Sequence, residues 1–302
     1  MEFADRITVL KGGEVEDTMP ASEAIVERLT KAVVGERELK PHKNEGGTKR
    51  EEVVLEVKDL TVKNDRELEA IKKVSFDIHA GEIFGIAGVA GNGQKELAEA
   101  VTGLRKAIGG TITISGEDVT TQGAKARVKK RVGFIPEDRL SMGLVPGMNM
   151  EENRILKEYD TPRFSKNHIL KKKVIHDIVQ DEINRYAIKT AGDKSPVSLM
   201  SGGNQQKLLV AREIGGDPVL LVAVYPSRGL DMGAAEAIHE ILLEQCKKGV
   251  AVLLISEELD ELFQMSDRIG VLCSGEMMAV LDRNEADYDT IGRLMSGERY
   301  EK

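Results

Sequence analysis

The chain has 302 residues, of which 41% are hydrophobic, and a formal net charge of −8. This apolar content can supply the core of one large domain or two modest ones, and the negative charge argues against a nucleic-acid partner. No apolar run approaches the roughly 18 to 20 residues that a membrane crossing requires. Cys246 and Cys273 lie in apolar segments that we interpret as strands, without metal-ligand spacing, so the sequence predicts a protein of the reducing cytosol with no metal site of its own.

A segment near the start of the chain recurs near its end. ADRITVLKGGE, which starts at Ala4, returns as SDRIGVLCSGE, which starts at Ser266. The shift of 262 residues aligns 37 positions without a gap, and 13 of them are identical. We interpret residues 1–40 as the closing tail of a preceding copy, residues 41–51 as a polar linker and residues 52–302 as one whole unit.

Strands and helices alternate along this unit. Alternating residues predict an exposed strand from Val53 to Val62, and two further strand-like runs follow, separated by a turn at Ala80 and Gly81. A helical pattern begins at Gln94 and stops at Gly103. The later elements are a strand at Val132–Ile135, a helix-rich stretch over 150–190, and strands at Val219–Val224 and Val250–Ile255. This order predicts an α/β fold with a mostly parallel sheet.

A glycine-rich turn joins the third strand to this first helix. Its glycines allow backbone N–H groups to converge on a phosphate, as in the P-loop pattern G-x-x-x-x-G-K-[ST]. Gln94 stands in the lysine position and Lys95 in the hydroxyl position, so the charge clamp and the magnesium ligand are absent. A tight turn without a ligand, a Lys95 that rotates into the phosphate site, and a metal held by Glu96 are the alternatives. The candidate residues are Gly88, Gly91, Asn92, Gly93, Gln94, Lys95 and Glu96.

A second candidate anion site lies at the start of a later helix. Ser201, Gly202 and Gly203 precede the helical run LLVAREI, which stops at Gly215. A serine and two glycines at a helix amino end can bind an anion, although a helix cap without a ligand is the alternative. The apolar run VLLVAVYPSRGLD follows and ends at Asp231. Together these segments resemble the ABC transporter nucleotide-binding domain family, whose signature reads LSGGQ, over about residues 52–302.

The resemblance implies a P-loop NTPase (RecA-like) core of mostly parallel sheet, an antiparallel β subdomain and a helical subdomain at about 138–210. It implies ATP and Mg as cofactors, with two domains enclosing two ATP molecules. The signature residues, with Gln205, would contact the nucleotide held by a partner domain. Asp231 would help to lock the two halves together.

The chain departs from the family pattern where hydrolysis is carried out. Val224 and Tyr225 stand at the family's Asp and Glu positions, and Glu257 stands at the switch histidine position. Glu137 replaces the glutamine that contacts the metal, and no aromatic residue for adenine stacking occurs in 61–66. A misplaced acid or base alone costs about 10² to 10⁴ in rate. We therefore expect this site to have no intact catalytic residue, to bind ATP and Mg weakly or only through the partner domain's site, and to hydrolyse poorly.

The tandem copies, FIPEDR at 134–139 and PSRGLD at 226–231 resemble the ATPases of bacterial importers for simple sugars or nucleosides, whose second copy is the divergent one. The implied partners are a first nucleotide-binding domain of the same protein, membrane permease subunits and, indirectly, a solute-binding protein. The implied location is the cytoplasmic face of the membrane. Two alternatives are a soluble ABC ATPase outside transport and a structural or regulatory module that binds no nucleotide. Met142, Met148 and Met150 would be either permease contacts or core.

Overall fold

The computed structural model describes residues 5–11, 14–23, 44, 46, 48–190, 192 and 194–299. Most of the predicted tail and half of the predicted linker therefore lie outside the described residues. The strands are β1 (Arg6–Lys11), β2 (Glu14–Pro20), β3 (Val53–Lys63), β4 (Glu69–His79), β5 (Ile83–Ala87), β6 (Ala107–Ile114), β7 (Glu117–Asp118), β8 (Val132–Ile135), β9 (Ser165–Lys166), β10 (Ile169–Leu170), β11 (Leu220–Val224), β12 (Ala251–Ile255), β13 (Arg268–Cys273) and β14 (Glu276–Asp282). The helices are α1 (Gln94–Val101), α2 (Ala124–Lys129), α3 (Met150–Ile155), α4 (Lys172–Arg185), α5 (Gly202–Ile214), α6 (Met232–Lys247), α7 (Leu259–Met265) and α8 (Tyr288–Met295).

The central sheet has six strands in the order β14-β13-β5-β12-β11-β8, and all its pairings are parallel except that of β13 with β14. β5, β11 and β12 are buried along their whole length, which is why their sequences are continuously apolar rather than alternating. Successive residues of β5 point to opposite faces: Ile83 packs in the core on one side and Phe84 in the core on the other. The predicted α/β, mostly parallel fold is confirmed.

A four-stranded antiparallel sheet, in the order β4-β3-β6-β7, packs against one face of the central sheet. Phe76 of this sheet stacks on Phe84 of β5 with ring centroids 5.1 Å apart. The prediction that β3 is an exposed strand is wrong, because Val57 and Leu60 are buried in the core between the sheets. Asp59 has φ 47°, and the register shift around it places both apolar residues on the inner face.

The region between β8 and β11 contains α3, α4 and α5 together with the short hairpin of β9 and β10. Helix α5 ends at Ile214 with Gly215 as its C-cap, as the sequence pattern indicates. The assignment of Cys246 to a strand is wrong: this residue lies in the last turns of α6 and is buried. Among the described residues, no helix is long and apolar enough to span a bilayer.

Two hairpins of the described chain have the same pairing pattern. β1 and β2 pair antiparallel with Arg6 opposite Pro20 and an irregularity between Val9 and Leu10. β13 and β14 pair with Arg268 opposite Asp282 and an irregularity between Val271 and Leu272. Both strand pairs are related by the shift of 262 residues found in the sequence, since 6 + 262 = 268 and 20 + 262 = 282. The repeat therefore extends to backbone pairing and to the position of the bulge.

The predicted linker is bound to the unit rather than free, as far as its described residues show. Asn44 is buried, and its side-chain amide donates to the carbonyl of Met265 at 3.0 Å. The hydroxyl of Thr48 donates to the carbonyl of Gly81 at 2.7 Å. These bonds join Asn44 to the end of α7 and Thr48 to the turn before β5.

Candidate nucleotide-binding site

The glycine-rich turn lies between β5 and α1 and leaves open space where a phosphate would bind. Gly91 has φ 88°, and a Cβ atom placed on it would meet no atom within 4 Å. Gly93 has φ 107°, and a Cβ atom on it would lie 2.4 Å from the carbonyl oxygen of Ala70. Glycine is therefore required at Gly93 by the approach of β4 and by its backbone conformation. The turn has the form of a phosphate cradle at a helix amino end.

Asn92 fixes this turn against the hairpin of β13 and β14. Its side-chain oxygen accepts a hydrogen bond from the backbone N–H of Ser274 at 2.6 Å, and its carbonyl accepts from the N–H of Gly275 at 3.1 Å. Its side-chain nitrogen donates to the carbonyl of Val89 at 2.9 Å. The sequence placed Asn92 at the site, and its role here is to hold the cradle in shape.

Gln94 and Lys95 both have hydrogen-bond or ion-pair partners within the chain. Gln94 is 2% exposed, and its amide nitrogen donates to the carbonyl of Val89 at 3.0 Å. The ammonium of Lys95 lies 3.7 Å from a carboxylate oxygen of Asp65 and 3.9 Å from one of Glu99. The lysine is therefore engaged by acids beside the cradle and does not occupy the position left by the missing P-loop lysine.

A cleft of about 590 Å³ opens in front of the cradle, and Glu96 lines its edge. Glu137, Tyr225, Arg228 and Glu257 line the same cleft. These residues come from the segments after β8, β11 and β12, whose carboxyl ends meet at one edge of the sheet, where α/β proteins bind ligands. The structure thus brings the predicted positions 137, 225 and 257 together with the cradle.

A connected set of polar contacts forms the wall of the cleft that faces the cradle. Arg228 Nη1 donates to Glu137 Oε1 at 2.5 Å, and the guanidinium lies 5.5 Å from the centre of the Tyr225 ring. The pKa of Tyr225 is raised above the usual value, first by burial and then by the nearby carboxylates of Glu257 and Glu137. The phenol therefore stays protonated at neutral pH and cannot replace a carboxylate as a base.

Tyr225 has φ 48°, a conformation that costs a bulky residue free energy, of order 1 to 3 kcal/mol. Its backbone N–H donates to the carbonyl of Ile255 at 2.8 Å, so the strand pairing continues to this residue. The ring then leaves the line of the strand at the position where the family carries its catalytic carboxylate. Strain at this position is typical of functional sites.

The turn has room for phosphate oxygens, whereas two positions at which the family places magnesium ligands hold Val224 and Lys95. Gly91 leaves room for phosphate oxygens, whereas Val224 offers only an aliphatic side chain that is 4% exposed. Lys95 places a cation where the family places a hydroxyl ligand, and magnesium prefers oxygen ligands. In the described part of the chain, no cluster of three His, Cys, Asp or Glu side chains could hold a metal ion.

The signature turn lies at the start of α5, where Ser201 is the N-cap residue and is exposed. Asn204 Nδ2 donates to Ser201 Oγ at 2.8 Å. The amide of Gln205 instead turns inward, and its nitrogen donates to the carbonyls of Val197 and Met200, at 3.1 Å each. Asn204, which the sequence analysis omitted, is thus the amide beside the serine, and Gln205 holds the preceding loop.

Gly202 and Gly203 allow close packing around this turn. A Cβ atom on Gly203 would lie 3.1 Å from the Cβ of Ala234, and one on Gly202 would lie 3.4 Å from Arg139 Nη2. Asp231 caps α6 by accepting a hydrogen bond from the N–H of Ala234 at 2.9 Å. Asp231 therefore caps a helix within the chain. Its carboxylate is also exposed beside the signature turn.

Sequence reasoning also missed Arg228 and Leu68. Arg228 belongs to the PSRGLD segment. Its place three residues after Tyr225, at a catalytic position of the family, could have identified it as a candidate. Leu68 lines the cleft and is 63% exposed, between β3 and β4, close to the segment where an aromatic residue was expected. An exposed leucine can contact the face of a base. The sequence did not indicate this residue, because the alternation of apolar and polar residues does not locate the turn between β3 and β4.

Comparison with known proteins supports the same family. The nucleoside import ATP-binding protein NupA of Lactococcus lactis is 39% identical over 294 residues, which cover 97% of this chain and 58% of that protein. The guanosine import ATP-binding protein NupO of Bacillus subtilis is 38% identical, over 98% of this chain and 58% of that protein. The ribose import ATP-binding protein RbsA of Shouchella clausii is 34% identical over the same shares. The chain thus spans little more than half the length of these relatives.

Solved structures share the fold. A nucleotide-free ATP-binding cassette from an ABC transporter superposes with a TM-score of 0.66 at 21% identity, over 77% of this chain and 93% of that one. A dimeric cassette in a post-hydrolysis state with ADP and phosphate gives a TM-score of 0.65 at 21% identity, over 76% of this chain and 98% of that one. The family model described as ABC transporter matches residues 71–223, from β4 through β11. The chain therefore belongs to the ABC transporter family.

Proposed function

We propose that this chain is the second ATP-binding unit of an importer for nucleosides or simple sugars. Its signature turn completes the ATP site of a preceding unit, while its own cleft binds nucleotide weakly and does not turn it over efficiently. The observation that carries this proposal is the contrast between the two sites. Ser201, Gly202 and Gly203 are retained on an exposed helix end. The cleft in front of the cradle instead has Gln94, Tyr225 and Glu257 at the family's lysine, glutamate and switch histidine positions.

The chemistry of the cleft supports poor hydrolysis. The phosphate lysine is replaced by a neutral amide, and the two catalytic carboxylates are replaced by Val224 and Tyr225. A lost charged hydrogen bond costs about 1.5 to 3 kcal/mol, and each misplaced acid or base forfeits about 10² to 10⁴ in rate. Losses within one catalytic unit do not add. With all of these groups replaced, little remains in the cleft to promote hydrolysis beyond the positioning of the nucleotide.

The duplicated hairpin supports the assignment to a second unit. In the complete unit, β13 pairs on one side with β14 and on the other with β5, in parallel. Within the described residues, β1 pairs only with β2. A strand equivalent to β5 in a preceding unit would pair with β1 in the same way, which makes residues 1–40 part of that unit. The preceding unit is the proposed partner within the same protein.

The similarity to import ATP-binding proteins supports transport as the process. We propose that the helical region of 138–210 contacts a membrane permease on its cytoplasmic side, with a solute-binding protein as an indirect partner. Of the three methionines named as possible contacts, Met142 is 47% exposed and Met150 is 1% exposed. Met150 is therefore a core residue, and Met142 is the candidate for contact.

The test uses a protein in which a first unit precedes this chain. Ser201→Arg should abolish most of the ATPase activity, because the arginine fills the anion position that the partner's nucleotide needs. Gln94→Ala should change the activity little. The matched control is Ser115→Arg, the same change at an exposed turn of the antiparallel sheet. The reverse ranking of the Ser201 and Gln94 variants would refute the division of labour.

Two further measurements separate the alternatives. Co-purification of the two-unit protein with a polytopic membrane partner is expected for an importer, and its absence would favour an ATPase outside transport. A thermal shift of the chain at millimolar ATP is expected if the cleft binds nucleotide, because a ligand of the folded state raises stability by mass action. No shift would favour a module that binds no nucleotide.

A further inference from the structure

The cleft of this chain contains a cation that does not belong to the P-loop segment. Three basic side chains line it, Lys72, Lys95 and Arg228, within the residues that the structure describes. Lys95 is engaged by Asp65 and Glu99 beside the cradle. Arg228 lies instead with Tyr225 and Glu137 on the wall that faces the cradle.

The contacts of Arg228 leave most of its hydrogen-bonding capacity unused. A guanidinium has five N–H donors in a planar fork, which suits paired oxygens of a phosphate. Over the described parts of the chain, Glu137 is the one acceptor that its side chain reaches, through Nη1. The side chain is 55% exposed and that of Glu137 is 45% exposed. Because a half-exposed ion pair contributes little to stability, the arginine can exchange this partner readily.

We propose that Arg228 is a phosphate ligand of this chain's own cleft and takes over the role of the missing P-loop lysine. In the nucleotide-free chain, Glu137 holds the guanidinium at the position facing the cradle. When a nucleoside di- or triphosphate binds, Arg228 exchanges Glu137 for the terminal phosphate groups. The carboxylate of Glu137 is thus a competitor of the ligand. This inference rests on the proposal that the cleft binds nucleotide.

The ring of Tyr225 limits where the guanidinium can go. The arginine packs over the ring face, an attractive contact for a cation. The backbone also joins the two residues, since the N–H of Arg228 donates to the carbonyl of Tyr225 at 3.1 Å. The left-handed conformation of Tyr225 places the ring in the cleft. Tyr225 therefore acts as a positioning residue for Arg228, and the strain at this residue has a function.

The test measures the binding of ATP, ADP and AMP to the full chain by titration calorimetry, in EDTA and in magnesium. Arg228→Gln should weaken ATP binding about tenfold or more, which is the size of a lost charged hydrogen bond. It should weaken AMP binding little, because AMP lacks the terminal phosphates. Arg228→Lys should restore part of the affinity. Glu137→Gln should bind ATP several-fold more tightly, since it removes the competing carboxylate.

Arg185→Gln provides the matched control. Arg185 lies over the ring of Tyr186 with a centroid distance of 5.4 Å, close to the 5.5 Å of Arg228 over Tyr225, but it is at the end of α4 and not in the cleft. This variant loses the same charge and the same kind of ring contact, and its ATP affinity should match that of the original chain. If Arg228→Gln fails to fold, Glu137→Gln still tests the proposal. It should raise ATP affinity, whereas loss of a purely structural ion pair would leave that affinity unchanged or lower it.

Three outcomes would overturn the proposal. These are an unchanged ATP affinity in Arg228→Gln, an equal loss for ATP and AMP, and a Glu137→Gln variant that binds ATP no better than the original chain. Absence of nucleotide binding by the original chain would also overturn it. In that case, a loss of activity in the two-unit Ser201→Arg protein would still support the proposed function, so the two failures are distinguishable.

Discussion

The amide nitrogen of Gln94 donates to the carbonyl oxygen of Val89 at 3.0 Å, and this bond closes the phosphate cradle on itself. The amide carries no charge, so it holds the shape of the turn without attracting phosphate. A lysine at the same position would bring an ammonium to the cradle. The residue at position 94 therefore preserves the shape of the cradle but does not supply its positive charge.

Gln94→Lys should raise ATP affinity about tenfold or more, the size of one gained charged hydrogen bond. Hydrolysis should remain at background, because neither Val224 nor Tyr225 supplies a carboxylate. Calorimetric titration and phosphate release measure the two properties separately. Gln122→Lys is the control, since Gln122 is exposed before α2 and outside the cleft. Brisk hydrolysis by Gln94→Lys would contradict the view that the carboxylates are the missing component.

Stability at acid pH should depend on Glu213. Burial raises the pKa of this carboxyl, but Lys157 and Arg212 together with the N–H of Phe134, which donates at 2.8 Å, lower it below the usual 4.5. A lowered folded-state pKa gives stability above the unfolded value, and this stability is lost as pH falls through the folded value. The free energy of unfolding should therefore decrease below about pH 4.5 through this group.

Glu213→Gln should cost about 3 to 5 kcal/mol at neutral pH, because it leaves the buried guanidinium of Arg212 without its partner carboxylate. The difference from the original chain should shrink as pH falls below that window. Urea denaturation at several pH values measures both effects. Glu67→Gln, at a side chain that is 82% exposed, should change stability by less than about 0.5 kcal/mol. A Glu213→Gln difference that is independent of pH would contradict the assignment.

The two cysteines should differ in reactivity. Burial raises the pKa of Cys246 to about 11, and its thiol donates to the carbonyl of Gly81 at 3.1 Å. At pH 8 only about one such thiol in a thousand is ionised. Iodoacetamide should therefore label the partly exposed Cys273 first, and Cys246 only after unfolding in urea. Labelling of both at equal rates in the folded chain, read by mass spectrometry, would contradict this.

Much of the fold could be predicted from short-range patterns. The strand at Val132–Ile135 and the end of α5 at Gly215 follow from an apolar run and a glycine, and both lie where the sequence indicates. Cys246 was misassigned because a short apolar run does not distinguish a buried helix from a strand. The burial of β3 was missed because the bulge at Asp59 changes which residues face inward.

The candidate site was predictable in its parts but not in its contacts. The cradle and the signature turn are continuous segments, so their residues could be named in advance. The pair of Glu137 and Arg228 joins residues 91 positions apart, and only the order of strands in the sheet brings them together. Gln205 was named in place of Asn204, although the signature LSGGQ places its amide directly after the second glycine, which is position 204 in this chain.

The turn between β13 and β14 holds the cradle through Asn92 and also accepts a hydrogen bond from the N–H of Lys72 at 2.8 Å, through Gly275. Gly275 has φ 83°, and a Cβ atom on it would lie 2.5 Å from the carbonyl oxygen of Ala70 in β4. A larger residue at this position would therefore displace the turn and, through Asn92, distort the cradle from outside the glycine-rich segment. Damaging substitutions are thus expected in this distant hairpin as well as in the cradle itself.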